Sequence, residues 1–354
     1  MSTNNPDSSR ELTYAKALYE ATAQEMERDS GVFVFGLGVD DPKAMYGTTK
    51  DLHVRFGQWR NFDTPLSEDA MTGVAIGAAL AGMRPIHVHQ RMDFLLLCMN
   101  QLVNLGAKMS YVFGGHYSVP LVVRAIIGRS WGQGAQHSQS FHSYFMHVPG
   151  IKVVAPTTPY DAKGCMIAAI RDNNPVIFVE HRMLYNNRGL VPAEPYALPF
   201  GKARLLTKGD DITIVAISHM VVESLRAYHH LLDVGIHANI IDPVTLSPLD
   251  AESIIESVER TGRLLVVDNS WTAAGASSEI VARVVEHIQG RKAIQVKRMG
   301  FAPTPCPTTK PLENLFYPNA RTIAAQAYAM VKGKADWVPQ GEEAREIAEF
   351  KGPF

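Results

Sequence analysis

Two tandem α/β domains with mainly parallel sheets are predicted by three features of the sequence. Short apolar runs alternate with helix-spaced segments along most of the chain. These runs are continuously apolar rather than apolar at every second residue, the pattern of strands covered on both faces. A segment with three prolines, 190–199, interrupts the series near its middle and reads as an extended linker.

The elements follow in order. Residues 12–28 carry apolar positions at helical spacing. The run Gly31-Val32-Phe33-Val34-Phe35 then reads as a strand. Ser67 followed by Glu68 opens a second helix, and Gly and Ala through 73–82 let it approach its neighbours closely. Strands at 84–88, 120–124, 151–154 and 175–179 complete the first series. The second series has strands at 212–216, 238–241, 263–267 and 294–297, with helices over about 219–234, 248–259, 277–288 and 320–332. Alternation of strand and helix implies crossover helices between parallel strands. The expected divisions are a first domain over 1–190, a linker over 191–206, a second domain over 207–335 and a charged tail over 336–354.

Composition narrows the function. A chain of 354 residues has the length of about two domains. A formal net charge of −1 gives no pull toward nucleic acid or an anionic membrane surface. Cys98, Cys165 and Cys306 lie far apart, form no CxxC pair and fit a reducing cytoplasm. The polar N-terminus lacks an apolar signal core, and no run approaches the ~18 apolar residues of a membrane span. A soluble cytoplasmic protein is expected.

Three stretches carry chemistry. In the first, Asp63-Thr64-Pro65-Leu66-Ser67-Glu68 runs into the Gly/Ala-rich helix. Read alone, Glu68 is equally a first-turn acid that favours the helix dipole. In the second, Gly132-Gln133-Gly134-Ala135-Gln136-His137 places a histidine after glycines that let backbone crowd a ligand. Such a histidine can act as acid, base or hydrogen-bond donor near neutral pH, or simply satisfy loop backbone. His142 and His147 do not share a metal-ligand spacing with it, so a zinc site is rejected. In the third, Ala169-Ile170-Arg171-Asp172-Asn173-Asn174-Pro175 reads as a helix end turning into a strand. Carbonyls there either face water or ligate a hard cation.

Together these stretches resemble the β subunit of the E1 component of 2-oxo acid dehydrogenases, within the transketolase-like thiamine-diphosphate superfamily. The resemblance runs from about residue 11 to 333 and includes 63–68, 72–86, 136–141, 147–164, 169–181, 209–218, 241–250 and 264–280. It implies a pyrimidine-binding transketolase-like domain followed by a transketolase C-terminal domain. It implies that Glu68 hydrogen-bonds the aminopyrimidine ring of thiamine diphosphate, that Gln90 and Phe94 lie at the ring, and that His137 meets substrate. It further implies a structural potassium site with main-chain oxygens from Leu121, Ala169, Ile170 and Asn174 and a further oxygen from Asp172.

The chain also departs from the family. His89, Gln90 and Arg91 replace an acidic and aromatic run, and 129–133 and 305–311 are atypical. Arg91, Arg129 and Lys310 are either surface cations or contacts for an anionic or sugar-like substrate. The Gly-Asp-Gly motif that holds diphosphate and magnesium in the superfamily is missing from the sequence. The resemblance therefore implies that an α-type subunit holds Mg2+ and shares the cofactor, in an α2β2 heterotetramer. Three activities stay open. One is decarboxylation of a 2-oxo acid with acyl transfer to the lipoamide of an E2 protein. The second is a split transketolase or carboligase that passes an acyl or ketol unit to a carbonyl acceptor. The third is a non-catalytic regulatory or scaffolding subunit.

Overall fold

The computed structural model describes residues 9–41, 43–129 and 132–340. They divide into two units: residues up to Ile127 with Tyr144–Phe200, and Gly128–Ser143 with the residues from Gly201 onward.

The first unit has strands β1 (Ser9–Thr13), β2 (Val32–Gly36), β3 (Asn61–Phe62), β4 (Arg84–His89), β5 (Val122–Ile127), β6 (Lys152–Val154), β7 (Val176–His181) and β8 (Arg188–Pro192). Six of them form a parallel array in the order β6-β7-β5-β4-β2-β3. Every residue of β2, β5 and β7 is buried, as the continuous apolar runs predict. The helix Tyr14–Arg28 leads into β2, and the crossover helices include Glu68–Leu80, between β3 and β4, and Pro159–Arg171, between β6 and β7. Thr158 caps the last of these by accepting from the Asp161 N–H, and Pro159 takes the first helical position, where its missing N–H costs nothing.

Two ionisable side chains sit deep inside this sheet. Arg124 on β5 and Glu180 on β7 are fully buried. Arg124 donates Nε–H to Glu180 Oε1 at 2.5 Å and Nη2–H to Oε2 at 2.8 Å. Thr48 Oγ1 accepts a further bond from Arg124 Nη2 at 2.7 Å, and the Tyr185 hydroxyl donates to Glu180 Oε2 at 2.9 Å.

The second unit has β9 (Arg204–Leu205), β10 (Ile212–Ala216), β11 (Ala238–Asp242), β12 (Thr245–Ser247), β13 (Arg263–Val267) and β14 (Gln295–Met299). Its sheet runs β14-β13-β10-β11-β9, parallel except for the antiparallel edge strand β9. Ile212, Ile214, Ala216, Leu265 and Val267 pack there against Ile323, Ala324 and Ala327 of the helix Ala320–Lys332. Asn319 closes that helix's start with a capping box, and Gly333 ends it in the left-handed region.

The expected linker differs in the structure. Its first residues belong to β8, which pairs antiparallel with β1, and the segment stays with the first unit through Phe200. Proline lacks an N–H, so the prolines settle at a strand end and beyond it. The carbonyls they leave are met by a lysine instead. Lys163, fully buried, donates to Pro192 O at 2.7 Å and Ala193 O at 3.0 Å. The tail also begins anchored: Trp337 stacks on Tyr328 at 4.9 Å, while 341–354 lie outside the described residues. Among the described residues, no helix is long and apolar enough to cross a membrane.

Candidate functional site

The strand order locates a crevice. From β2 the chain moves outward to β3, then recrosses β2 to lay down β4 on its other side. In open parallel sheets, ligands bind at the carboxyl ends of the strands where the order reverses, here between β2 and β4. Gly36 ends β2 with φ of 141°, and a Cβ there would lie 2.3 Å from Val88 O, so only glycine lets the strands meet this closely.

Three strand ends converge on this edge. Gly38 N–H donates to Asp63 Oδ1 at 2.7 Å, joining the residues after β2 to those after β3. Gln90, directly after β4, donates from Nε2 to Leu37 O at 3.2 Å. Phe94 follows in the short helical turn Met92–Cys98 and is partly buried. Glu68 begins the helix that connects β3 to β4. It is partly buried, and among the described residues no hydrogen bond or ion pair engages its carboxylate.

Below the edge lies a polar layer that sequence reading did not assemble. Thr72, one turn along from Glu68, lies 3.4 Å from His87 Nδ1 through its Oγ1. His89 Nε2 lies 3.2 Å from the same nitrogen, and Phe35 stacks on the His87 ring at 4.6 Å. The two histidines occupy alternate positions of β4 and therefore share a face. Burial pushes the Cys98 thiol up to about 11, against its hydrogen bond from Thr72, and the charges of Glu68 and Asp69 add to the rise.

Burial also holds both imidazoles neutral. It lowers His87 well below the usual histidine range, with His89 adding to the effect, and takes His89 down to about 4. The unfolded chain protonates His89 near its ordinary value of about 6.5, so between that pH and about 4 the unfolded state binds more protons. Stability therefore falls as pH drops through this window, by about 3 kcal/mol for His89. Urea denaturation at pH 7 and pH 4.5 checks this. The variant His89→Phe is expected to lose less stability than the parent over that interval, and an equal loss would remove His89 as the cause.

The residues expected to hold potassium gather at the end of the helix Pro159–Arg171. Leu121 O accepts from Val176 N–H at 2.9 Å, and Ala169 O accepts from Asp172 N–H at 3.3 Å. Arg84 Nη1 donates to Ile170 O at 2.9 Å and Asp172 O at 3.1 Å. Asn174 donates its N–H to Asp172 Oδ1 at 2.9 Å, and Lys152 pairs with the other oxygen of that carboxylate. Each carbonyl keeps a second lone pair. The nearby guanidinium and ammonium oppose further positive charge.

His137 belongs to the second unit, on the segment Gly128–Ser143. It is partly buried, with its N–H toward Gly134 O at 3.5 Å. Two ties hold this segment to the turn after β13. Ser270 Oγ donates to Ser140 O at 2.8 Å, and His142 Nε2 lies 3.0 Å from Asp268 Oδ1, both side chains buried. Sequence reading set His142 aside for lack of a metal spacing; its acidic partner lies 126 residues away and left no local signal. The structure also brings the two atypical segments together. Gly132 has φ of 62°, and a Cβ on it would lie 2.4 Å from Thr308 O. Arg129 lies with its guanidinium carbon 5.2 Å from the Tyr317 ring centroid, and Cys306 Sγ lies 3.4 Å from the Tyr317 hydroxyl. Ser130 and Trp131 lie outside the described residues.

Comparison with known proteins gives this geometry a family. Residues 10–188 match the transketolase pyrimidine binding domain, and residues 201–323 match the transketolase C-terminal domain. The β subunit of acetoin:2,6-dichlorophenolindophenol oxidoreductase from Cupriavidus necator is 44% identical, over 92% of this chain and 98% of the relative. The pyruvate dehydrogenase E1 component subunit beta of Porphyra purpurea is 42% identical over 84% and 90% of the two chains. The 2-oxoisovalerate dehydrogenase subunit beta of Bacillus subtilis is 40% identical over 89% and 97%. A solved split-gene transketolase, an inactive beta4 tetramer, superposes with a TM-score of 0.74 at 20% identity over 91% and 98%, which shows the shared fold. With both domains matched and relatives aligned along nearly their whole length, the chain belongs to the family of E1 β subunits of 2-oxo acid dehydrogenases, in the transketolase-like thiamine-diphosphate superfamily.

Proposed function

We propose that this chain forms the aminopyrimidine-binding half of a thiamine-diphosphate-dependent E1-type enzyme that decarboxylates a 2-oxo acid. The observation that carries this reading is the Glu68 carboxylate, partly buried at the carboxyl edge of the switch point and engaged by no side chain or backbone group among the described residues. The donor set fits an aminopyrimidine ring. Glu68 offers an oxygen to a ring nitrogen, Gln90 an amide, and Phe94 an aromatic side chain. Thiamine diphosphate, when bound, would supply a nucleophilic carbon for the substrate carbonyl. Glu68 would hold a proton toward the ring nitrogen, and the buried Thr72–His87–His89 layer would keep water from beneath it. His137 serves as hydrogen-bond donor or proton carrier toward the substrate.

The diphosphate and Mg2+ belong to an α-type partner, since this sequence carries no Gly-Asp-Gly motif. Exposed apolar side chains support such a partner: Leu66, Val74, Leu97 and Tyr111 are 81%, 54%, 58% and 89% exposed. An α2β2 heterotetramer and acyl transfer to a lipoyl E2 follow from the same reading. A structural potassium ion would use the oxygens of Leu121, Ala169, Ile170, Asp172 and Asn174. A second donor, a neutral hydroxyketone, is favoured by the relatives named for acetoin.

The test is reconstitution. The purified chain alone is expected to be inactive. Assembled with an α-type subunit, thiamine diphosphate and Mg2+, it is expected to reduce 2,6-dichlorophenolindophenol with pyruvate, a branched 2-oxo acid or acetoin. Carbon–carbon bond formation with an added aldehyde, without dye reduction, would establish the carboligase reading instead. Turnover by the chain alone would refute the shared-cofactor assignment. In the same preparation, a higher thermal midpoint in potassium than in sodium buffer is expected, and equal midpoints would remove the potassium site.

A further inference from the structure

We infer that Arg129 is the residue that receives the carboxylate of the donor substrate, an inference that rests on the 2-oxo acid reading above. Its environment is unlike that of Arg60 and Arg124, two nearly buried arginines that are paired. Arg60, 8% exposed, donates to the carbonyls of Met26, Asp29 and Val32. Arg124 is held by Glu180 and Thr48. Arg129 is also only 8% exposed, yet among the described residues it has no hydrogen bond and no ion pair. Its guanidinium carbon lies 5.2 Å from the centroid of the Tyr317 ring.

A largely enclosed guanidinium that meets no acceptor among the described residues gains by receiving an anion. A ring beneath the guanidinium carbon takes up none of its N–H donors as a conventional acceptor would. Those donors form a fork that matches a carboxylate through two parallel bonds. The position is firmly set. Tyr317 is buried and in contact with Cys306, and the segment that carries Arg129 packs at Gly132 directly on Thr308. The same segment carries His137 and is tied down again at Ser140 and His142. One short stretch of chain thus presents both a fixed cation and the histidine assigned to the substrate.

The experiment compares an anionic donor with a neutral one on the reconstituted holoenzyme. Arg129→Met keeps a long apolar stem against Tyr317 and removes the charge; Arg129→Lys keeps a charge without the fork. Arg129→Met is expected to raise KM for pyruvate ~10- to 100-fold, with kcat within a few-fold and KM for acetoin unchanged. Arg129→Lys is expected to recover part of the loss. Equal changes for pyruvate and acetoin would overturn the assignment.

A binding measurement separates this from failure of the functional reading. In the complex assembled without thiamine diphosphate, millimolar pyruvate is expected to raise the thermal midpoint of the parent and not of Arg129→Met. A rise of the same size in both, or in neither, overturns the inference even if the enzyme turns over. If neither donor is turned over by the parent, the 2-oxo acid reading fails, and the midpoint shift still decides whether Arg129 binds a carboxylate. A merely structural arginine would instead show a lowered midpoint in Arg129→Met with no discrimination between donors.

Discussion

Glu68→Ala in the reconstituted enzyme is expected to lower kcat by at least ~100-fold, the range for loss of a positioned proton-transfer group. The fold should survive. Glu68 sits in the first turn of its helix, and removing a first-turn acid costs only about 0.3–1 kcal/mol. Asp69 provides the control, because it occupies the same first turn and is exposed. Asp69→Asn should change stability as much as Glu68→Gln does, yet leave turnover within a few-fold. Steady-state rates and urea midpoints for the three variants decide the matter. Should the two neutral variants affect turnover alike, Glu68 would be a dipole-stabilising acid and the aminopyrimidine assignment would fall.

The parts of the site that were legible in the sequence are those written locally. Glu68 follows a turn-forming Thr-Pro pair and opens a helix, so its position on a crossover connection can be read from a few residues. The strands could be read because parallel strands buried on both faces are mostly apolar along their length, without interruption in β2 and with Thr213 alone as a polar residue in β10. Long-range partnerships were not legible. Thr72 meets His87 only because the helix Glu68–Leu80 folds back over β4, and His142 meets Asp268 across 126 residues. The segment 190–199, read as an extended linker, begins inside β8 for a physical reason. Proline content marks missing N–H donors, which argues against a central strand but says nothing of an edge strand or of Lys163 arriving to satisfy the carbonyls. Similarly, Arg129 and Tyr317 became a pair only when the two atypical segments were brought side by side.

Glu180→Leu is expected to be the most destabilising single change in the first unit. Arg124 interrupts the otherwise apolar β5 and Glu180 follows the apolar run Val176–Val179 of β7, at the centre of the sheet, and both are fully buried. In the parent, the carboxylate accepts two bonds from the guanidinium and one from Tyr185, so the charges compensate each other where water cannot. Leucine at 180 leaves the guanidinium with Thr48 as its hydrogen-bond partner among the described residues. Breaking a buried pair from one side costs about 3–5 kcal/mol, because the orphaned ion is left desolvated. Removing both charges avoids that penalty. The double variant Arg124→Met/Glu180→Leu should therefore regain most of the stability lost by the single one, although it deletes more of the native hydrogen bonding. Urea denaturation of the parent, both single variants and the double variant yields the coupling energy directly. A loss below about 1 kcal/mol in Glu180→Leu would mean that water or a rearranged Tyr185 reaches the guanidinium. The centre of this sheet would then be less closed than its packing indicates, and the dry floor assigned to the neighbouring β4 histidines would lose its main support.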